Sequence, residues 1–341
     1  MVRLSAFPLG GLAVAALVLI PSRVDVDAIA HERIIVSQSP PVSAQVNPFL
    51  DFGIVANNAF FYYADLGRAT TFYTRTLGVE LVADYGYAKI LRIAESSFLT
   101  LVDATKGMHT ADEPKTTALA LVTDELDGWH AQMVASGVPL RGSFTPTAGR
   151  PHDGFVAVDP EGYFLEFERF NPHEENARLM PALAVLRTYP AHPAGLAAGT
   201  TLGFKATVVW TYYEDLAGAQ RFYEGTLGVA IAVDQGWAKI YQTSRSGFVG
   251  LVDGARGMHA ATPTQGVTVS FFTHALDRWF RAIAAGGSMR LRSSQVVEDP
   301  EHRYRAFVGY DPGGYYLEFD DFLPHAQNTR LLAAIGTSGA R

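Results

Sequence analysis

Two glutamates sit in matching surroundings. Glu166 closes Asp159-Pro160-Glu161-Gly162-Tyr163-Phe164-Leu165-Glu166-Phe167, and Glu318 closes Asp311-Pro312-Gly313-Gly314-Tyr315-Tyr316-Leu317-Glu318-Phe319. Each half of the chain also carries a lysine in the same Ala-Lys-Ile setting, Lys89 and Lys239. A lone buried carboxylate is driven towards its neutral form, and so is a lone ammonium, whereas together both stay charged. The expected pairs are Lys89 with Glu166 and Lys239 with Glu318. Such a pair could act chemically, with Glu as general base and Lys holding an enolate or carboxylate. It could equally be an ion pair that only fixes geometry, or the lysine could reach the rim and never meet the acid.

Alternation along strands gives the company these residues keep. Asn58, Phe60, Tyr62, Tyr87, Lys89, Thr100, Phe164 and Glu166 should share one concave face in the first half. Val208, Trp210, Tyr212, Trp237, Lys239, Tyr241, Ser270, Tyr316 and Glu318 should share one in the second. An aromatic wall with few polar anchors suits a flat or apolar small molecule. The expected ligand contacts are Asn58, Phe60, Tyr62, Tyr87, Trp210, Tyr212, Trp237 and Tyr241.

Composition narrows the chemistry. The 341 residues contain no cysteine, which removes disulfides, thiolate catalysis and zinc-thiolate sites. A net charge of -7 without a basic block argues against a nucleic-acid partner.

The elements that must position these residues occur as a repeat. Residues 58–109 align without a gap on 208–259, and 24 of the 52 positions are identical, so the chain is a tandem duplication. Each copy opens with a period-two stretch ending in Tyr62-Tyr63 or Tyr212-Tyr213. Asp65 and Asp215 then cap a helix that Gly78 and Gly228 end. Three short strands follow, near Glu80–Ala83, Tyr87–Ile93 and Phe98–Asp103 in the first copy. The order recurs from Thr117 with a helix over Asp124–Ser136, giving four strand-helix-strand-strand-strand units.

Residues 1–30 read as an export signal: Arg3, an uncharged apolar run from Phe7 to Ile20, and Ala28-Ile29-Ala30 before the cut. Residues 31–56 read as a linker, 57–180 as a first domain, 181–203 as a connector, 204–332 as a second domain and 333–341 as a tail. The expectation is a periplasmic or secreted protein without stable membrane insertion after cleavage, monomeric or homodimeric.

Four such units, with Asp65–Gly78 and Asp215–Gly228 carrying D-L-x5-F-Y…L-G and the two closing motifs above, resemble the vicinal oxygen chelate superfamily. Glyoxalase I, bleomycin-resistance proteins and extradiol dioxygenases are members. The resemblance implies an α+β fold of two tandem domains, each a cup of curved mixed β-sheet with flanking helices. It also implies metal ligands on the first and last strands of the units. Those positions fall on Asn58, Ala118, Val208, Thr268, Thr100 and Gly250, none of them His or a carboxylate. Only Glu166 and Glu318 match, so no cofactor is expected; a divalent metal, if bound, would use one of them. His109 and His259 match each other, but in a Gly-Met-His loop. Three functions stand at this point. One is a metal-free binder of a small molecule, another a lyase, isomerase or dioxygenase of the superfamily, and the third an interaction module with filled cups.

Overall fold

The computed structural model describes residues 47–197 and 199–339. The expected export signal and most of the expected 31–56 linker lie outside them. Among the described residues, no helix is long and apolar enough to cross a membrane. In chain order the first unit holds α1 (Pro48–Asp51), β1 (Ile54–Tyr63), α2 (Leu66–Thr71), β2 (Glu80–Asp84), β3 (Ala88–Ala94) and β4 (Ser97–Asp103). The second unit holds β5 (Thr117–Val122), α3 (Leu126–Ala135), β6 (Leu140–Arg141), β7 (His152–Val158) and β8 (Phe164–Phe170). The connector forms α4 (Leu179–Ala184), β9 (Tyr189–Ala191) and β10 (Leu202–Phe204). The third unit holds β11 (Ala206–Tyr213), α5 (Leu216–Phe222), β12 (Ala230–Asp234), β13 (Ala238–Gln242) and β14 (Gly247–Asp253). The fourth holds β15 (Val267–Thr273), α6 (Leu276–Gly286), β16 (Arg290–Leu291), β17 (Val297–Glu298), β18 (Tyr304–Tyr310) and β19 (Tyr316–Phe322), followed by α7 (Thr329–Gly339).

Local chemistry sets the boundaries. The Asp65 carboxylate accepts from Arg68 N–H at 2.9 Å and that of Asp215 from Gly218 N–H at 2.8 Å, which is N-cap geometry. Gly78 and Gly228 leave their helices at φ +67° and +74°, a left-handed turn that glycine adopts freely. A Cβ on Gly78 would also lie 2.0 Å from the His192 carbonyl carbon.

The strands form two large sheets. One runs β16-β18-β19-β15-β1-β4-β3-β2, and the other β12-β13-β14-β11-β5-β8-β7-β6. At the centre of each, two opening strands pair antiparallel: β1 with β15, and β5 with β11. The first sheet therefore joins unit one to unit four, and the second joins unit two to unit three. This corrects the expectation that the two units of each sequence half share a concave face. The blocks 57–180 and 204–332 each contribute one unit to each sheet. The chain crosses between sheets through residues 104–116 and 254–266.

Consecutive units meet back to back instead. Asp159 accepts from the hydroxyls of Tyr63 at 2.7 Å and Tyr73 at 3.0 Å, and from the N–H groups of Glu161 and Tyr163, both at 2.9 Å. Tyr163 stacks on Phe61 with ring centroids 3.9 Å apart. Asp311 repeats the pattern with the Tyr213 hydroxyl at 2.5 Å and the Tyr315 N–H at 2.9 Å. The repeated Asp and Tyr residues of the motifs are thus joints of the fold. Trp129 and Trp279 are buried under the sheets, against Phe167 and Phe319.

Candidate ligand-binding cups

Each sheet curls around a cavity. The first encloses about 230 Å³, and Phe60, Tyr62, Tyr87, Tyr304, Glu318 and Asp320 are among its lining. The second encloses about 280 Å³, with Glu166, Glu168, Trp210, Tyr212, Trp237 and His152 among its lining. Of these aromatics, Phe60, Tyr62, Trp210 and Tyr212 follow strand alternation, Tyr87 and Trp237 reach the expected cavities from bends before their strands, and Tyr304 was not expected. Their assignment to a shared cup was not legible from alternation. Glu318 faces the aromatics of the first unit, and Glu166 faces those of the third. Ser270 lies on the strand between Asn58 and Glu318, not beside Trp237.

The lysines do not enter the cups. Lys89 Nζ meets Asp84 Oδ2 at 2.5 Å, and Lys239 Nζ meets Asp234 Oδ1 at 2.5 Å, each pair facing across neighbouring strands. Neither Lys89–Glu166 nor Lys239–Glu318 forms. The cause is a parity break. Tyr87 and Trp237 lie in the bend before their strands, just after Gly86 and Gly236 at φ +80° and +79°. Alternation does not run through that bend, so Ala88, Ile90, Ala238 and Ile240 line the cavities and the lysines point away. Tyr241 follows the same parity. It is buried behind the sheet, its hydroxyl donating to Glu224 Oε1 at 2.9 Å, and it is not a cup residue.

The cups contain acids that the alternation argument missed. Glu168 and Asp320 stand two residues beyond Glu166 and Glu318 on the same strand faces. The signal was present as Glu166-Phe167-Glu168 and Glu318-Phe319-Asp320, one acid on every second position. Each cup thus holds two carboxyl groups. Burial pushes all four above the ordinary carboxylic range, and in each pair the neighbour's charge opposes the second ionisation. Ser270 donates to Asp320 Oδ2 at 2.5 Å. Glu166 keeps some solvent access although protein surrounds it, and the nearby Trp210 indole opposes its shift without forming a hydrogen bond.

Apart from Glu166 and Glu318, the positions expected to carry metal ligands are apolar or hold side chains already engaged. In the first cup, Thr100 donates to Asn58 Oδ1 at 3.1 Å, and Thr268 is hydrogen-bonded to the Tyr62 hydroxyl at 2.8 Å. Asn58 Nδ2, a donor, has no partner. In the second cup, Val208 and Ala118 are apolar. The Trp210 ring lies where a Cβ on Gly250 would be, 1.9 Å from it. Among the described residues, no group of three or more His, Cys, Asp and Glu could hold a metal ion. This donor set does not fit Fe²⁺ or Zn²⁺, which need three or four protein ligands.

The matched histidines pack behind cup residues and do not line the cavities. His109 Nδ1 meets Glu113 Oε2 at 2.7 Å, and its ring contacts Tyr62 and Tyr316 at 4.9 and 4.3 Å. His259 stacks on Phe164 at 4.4 Å. The preceding Met108 and Met258 line the two cavities. His173 and His325 accept from Glu175 and Gln327 N–H, both at 3.2 Å, and so cap the exit turns.

Residues 56–167 match the family model for the Glyoxalase/Bleomycin resistance protein/Dioxygenase superfamily. The fold is that of the vicinal oxygen chelate superfamily. A proposed dioxygenase from Bacillus subtilis superposes with a TM-score of 0.55 at 16% identity, over 83% of this chain and 90% of its own. Glyoxalase I from Zea mays superposes with a TM-score of 0.54 at 15% identity, over 85% of this chain and 97% of its own. At that identity the likeness concerns the fold alone. No curated protein matches the sequence. The chain keeps the two closing glutamates, Glu166 and Glu318, and surrounds them with aromatic rings.

Proposed function

We propose that this is an exported small-molecule-binding protein of the vicinal oxygen chelate fold, which holds flat, largely apolar ligands in its two cups. The observation that carries the reading is the lining. Each cavity combines four or more aromatic residues with a single pair of carboxyl groups, at a volume suited to one small organic molecule. Stacking supplies affinity, and the acids give one end of the ligand a fixed partner. The export-signal pattern of residues 1–30 supports a ligand met outside the cytoplasm.

Titration of a phenol such as 4-tert-butylphenol into residues 31–341, followed by tryptophan fluorescence and calorimetry, tests the reading. Saturable binding is expected, weakened separately by Tyr87→Ala in the first cup and Trp237→Ala in the second. Absence of saturable binding by a panel of phenols and indoles would overturn it in favour of inert, filled cups.

The carboxyl pairs favour one second reading, an enzyme. An acid held at least partly protonated near neutral pH, beside another acid, is equipped for general acid–base chemistry. Turnover of a bound ligand that is abolished by Glu166→Gln or Glu318→Gln, with binding retained, would separate enzyme from binder.

A further inference from the structure

The second cup carries more unpaired polarity than a container for neutral molecules needs. Glu168 is 1% exposed and lines the cavity, and its Oε2 has no hydrogen-bond partner. Its Oε1 meets only His152 Nδ1, at 3.3 Å, and burial holds that imidazole below the usual histidine value, favouring the neutral ring. Glu166 faces the same space. The rings of Trp210, Tyr212, Trp237 and Phe170 share the lining, and among the described residues the one cationic side chain that reaches it is Arg256, exposed at the rim. Indole is the strongest of the side-chain rings in attracting a cation, and Trp237 already does so at the rim, where the exposed Arg256 guanidinium lies 5.1 Å from its ring centre. A buried carboxylate without a counter-ion is costly, and a cation that enters the cup relieves that cost while sitting among rings that favour it.

We propose that the second cup is a receptor for an organic ammonium ion, a quaternary or protonated amine attached to a flat apolar body. This rests on the reading of the cups as small-molecule sites and adds the charge of the ligand. The ammonium group lies between the Glu166 and Glu168 carboxylates and the Trp210 and Trp237 rings. The first cup is not equivalent. There Asp320 already accepts from Ser270. The Arg303 guanidinium, 4.9 and 5.6 Å from the Tyr85 and Tyr87 rings, is buried against that wall, whereas Arg256 beside Trp237 in the second cup is exposed to solvent.

The test compares two molecules of one shape, 4-hydroxyphenyltrimethylammonium and neutral 4-tert-butylphenol, by calorimetry on the mature full chain at pH 8. The cation is expected to bind about tenfold or more tightly, the scale of a desolvated cation–ring contact. Glu166→Gln with Glu168→Gln should reduce the ratio of the two affinities to about twofold or less, whatever the change in 4-tert-butylphenol affinity itself, whereas Glu318→Gln should leave the ratio intact. Equal affinity of the two probes for the wild-type chain overturns the charge assignment and leaves the small-molecule reading standing. Failure of both probes to bind overturns both. The wild-type comparison requires no variant to fold.

Discussion

Ser96 and Ser246 hold each other across the middle of the molecule: the backbone N–H of each donates to the hydroxyl of the other, both at 2.8 Å. They are equivalent residues of the two copies and both are fully buried. Ser97 adds a hydroxyl bond to Ser246 C=O at 2.7 Å, and Ser244 one to Ser96 C=O at 2.9 Å. The duplication is thus joined to itself about a local two-fold relationship, by small polar side chains that let two tight turns approach. Ser96→Ala leaves the Ser246 N–H unsatisfied in a buried place, and a loss of about 1–3 kcal/mol is expected in urea unfolding. Ser246→Ala should act alike. The double variant should lose less than the sum, because both act on one network. Strict additivity would refute the network.

Asp159 is the acceptor for two tyrosine hydroxyls and two backbone N–H groups at the joint between units one and two. Asp159→Ala strands all four donors and should destabilise by at least about 2 kcal/mol. Tyr63→Phe removes one donor and leaves the acceptor satisfied, so about 1 kcal/mol is expected. Neither change touches a cup. The check is chemical denaturation with ligand affinity measured alongside, and a Tyr63→Phe loss larger than that of Asp159→Ala would contradict the joint.

Lys89→Met should leave ligand affinity in the first cup unchanged. Lys89 pairs with Asp84, which is half exposed, so loss of the pair costs about 0–1 kcal/mol of stability. Calorimetry with a ligand of the first cup decides this. A weakening of tenfold or more would return the lysine to the site.

Stability should fall as pH rises from about 5 to 8. Burial raises Asp311 to about 7, despite the donors that oppose the shift, and also raises Asp159 and both cup pairs. A carboxyl group with a raised folded-state pKa binds more protons folded than unfolded between its two values. Its contribution is therefore full below the unfolded value near 4 and is lost as pH climbs through the folded value. Each extra proton held corresponds to a slope of about 1.4 kcal/mol per pH unit in that window. Asp84, Asp234 and Asp299, held low by hydrogen bonds from Lys89, Lys239 and Arg303 respectively, lose their contribution only on further acidification. Urea titrations at pH 5, 6, 7 and 8 should show the decline. Glu318→Gln with Asp320→Asn should flatten it, and a rise over that range would overturn the assignment.

Gly250→Ala tests the second cup's geometry. The new Cβ would stand 1.9 Å from the Trp210 ring, so the indole must move. Destabilisation of about 1–3 kcal/mol is expected, with a shifted tryptophan emission and weaker ligand binding. An unchanged emission would show that Trp210 does not lie over Gly250.

The sequence by itself determined the local structure. Periods of two and 3.6, the Asp caps, the terminating glycines and the duplication located four units, because these signals act over a few residues. The same short-range logic put Phe60, Tyr62, Trp210, Tyr212 and Glu166 on concave faces, since those residues stand within uninterrupted strands. It failed at Lys89, Lys239 and Tyr241, where the bend at Gly86 or Gly236 breaks the parity. Only the tertiary structure decided which units share a sheet. β1 can pair with any opening strand of similar pattern, because backbone hydrogen bonds carry no label for their partner. Which partner it takes depends on the whole molecule: the back-to-back joints at Asp159 and Asp311, the Ser96–Ser246 contact, and the connectors that cross between sheets. That choice sets Glu318 against the tyrosines of the first unit and Glu166 against the tryptophans of the third, and so decides what each cup can hold.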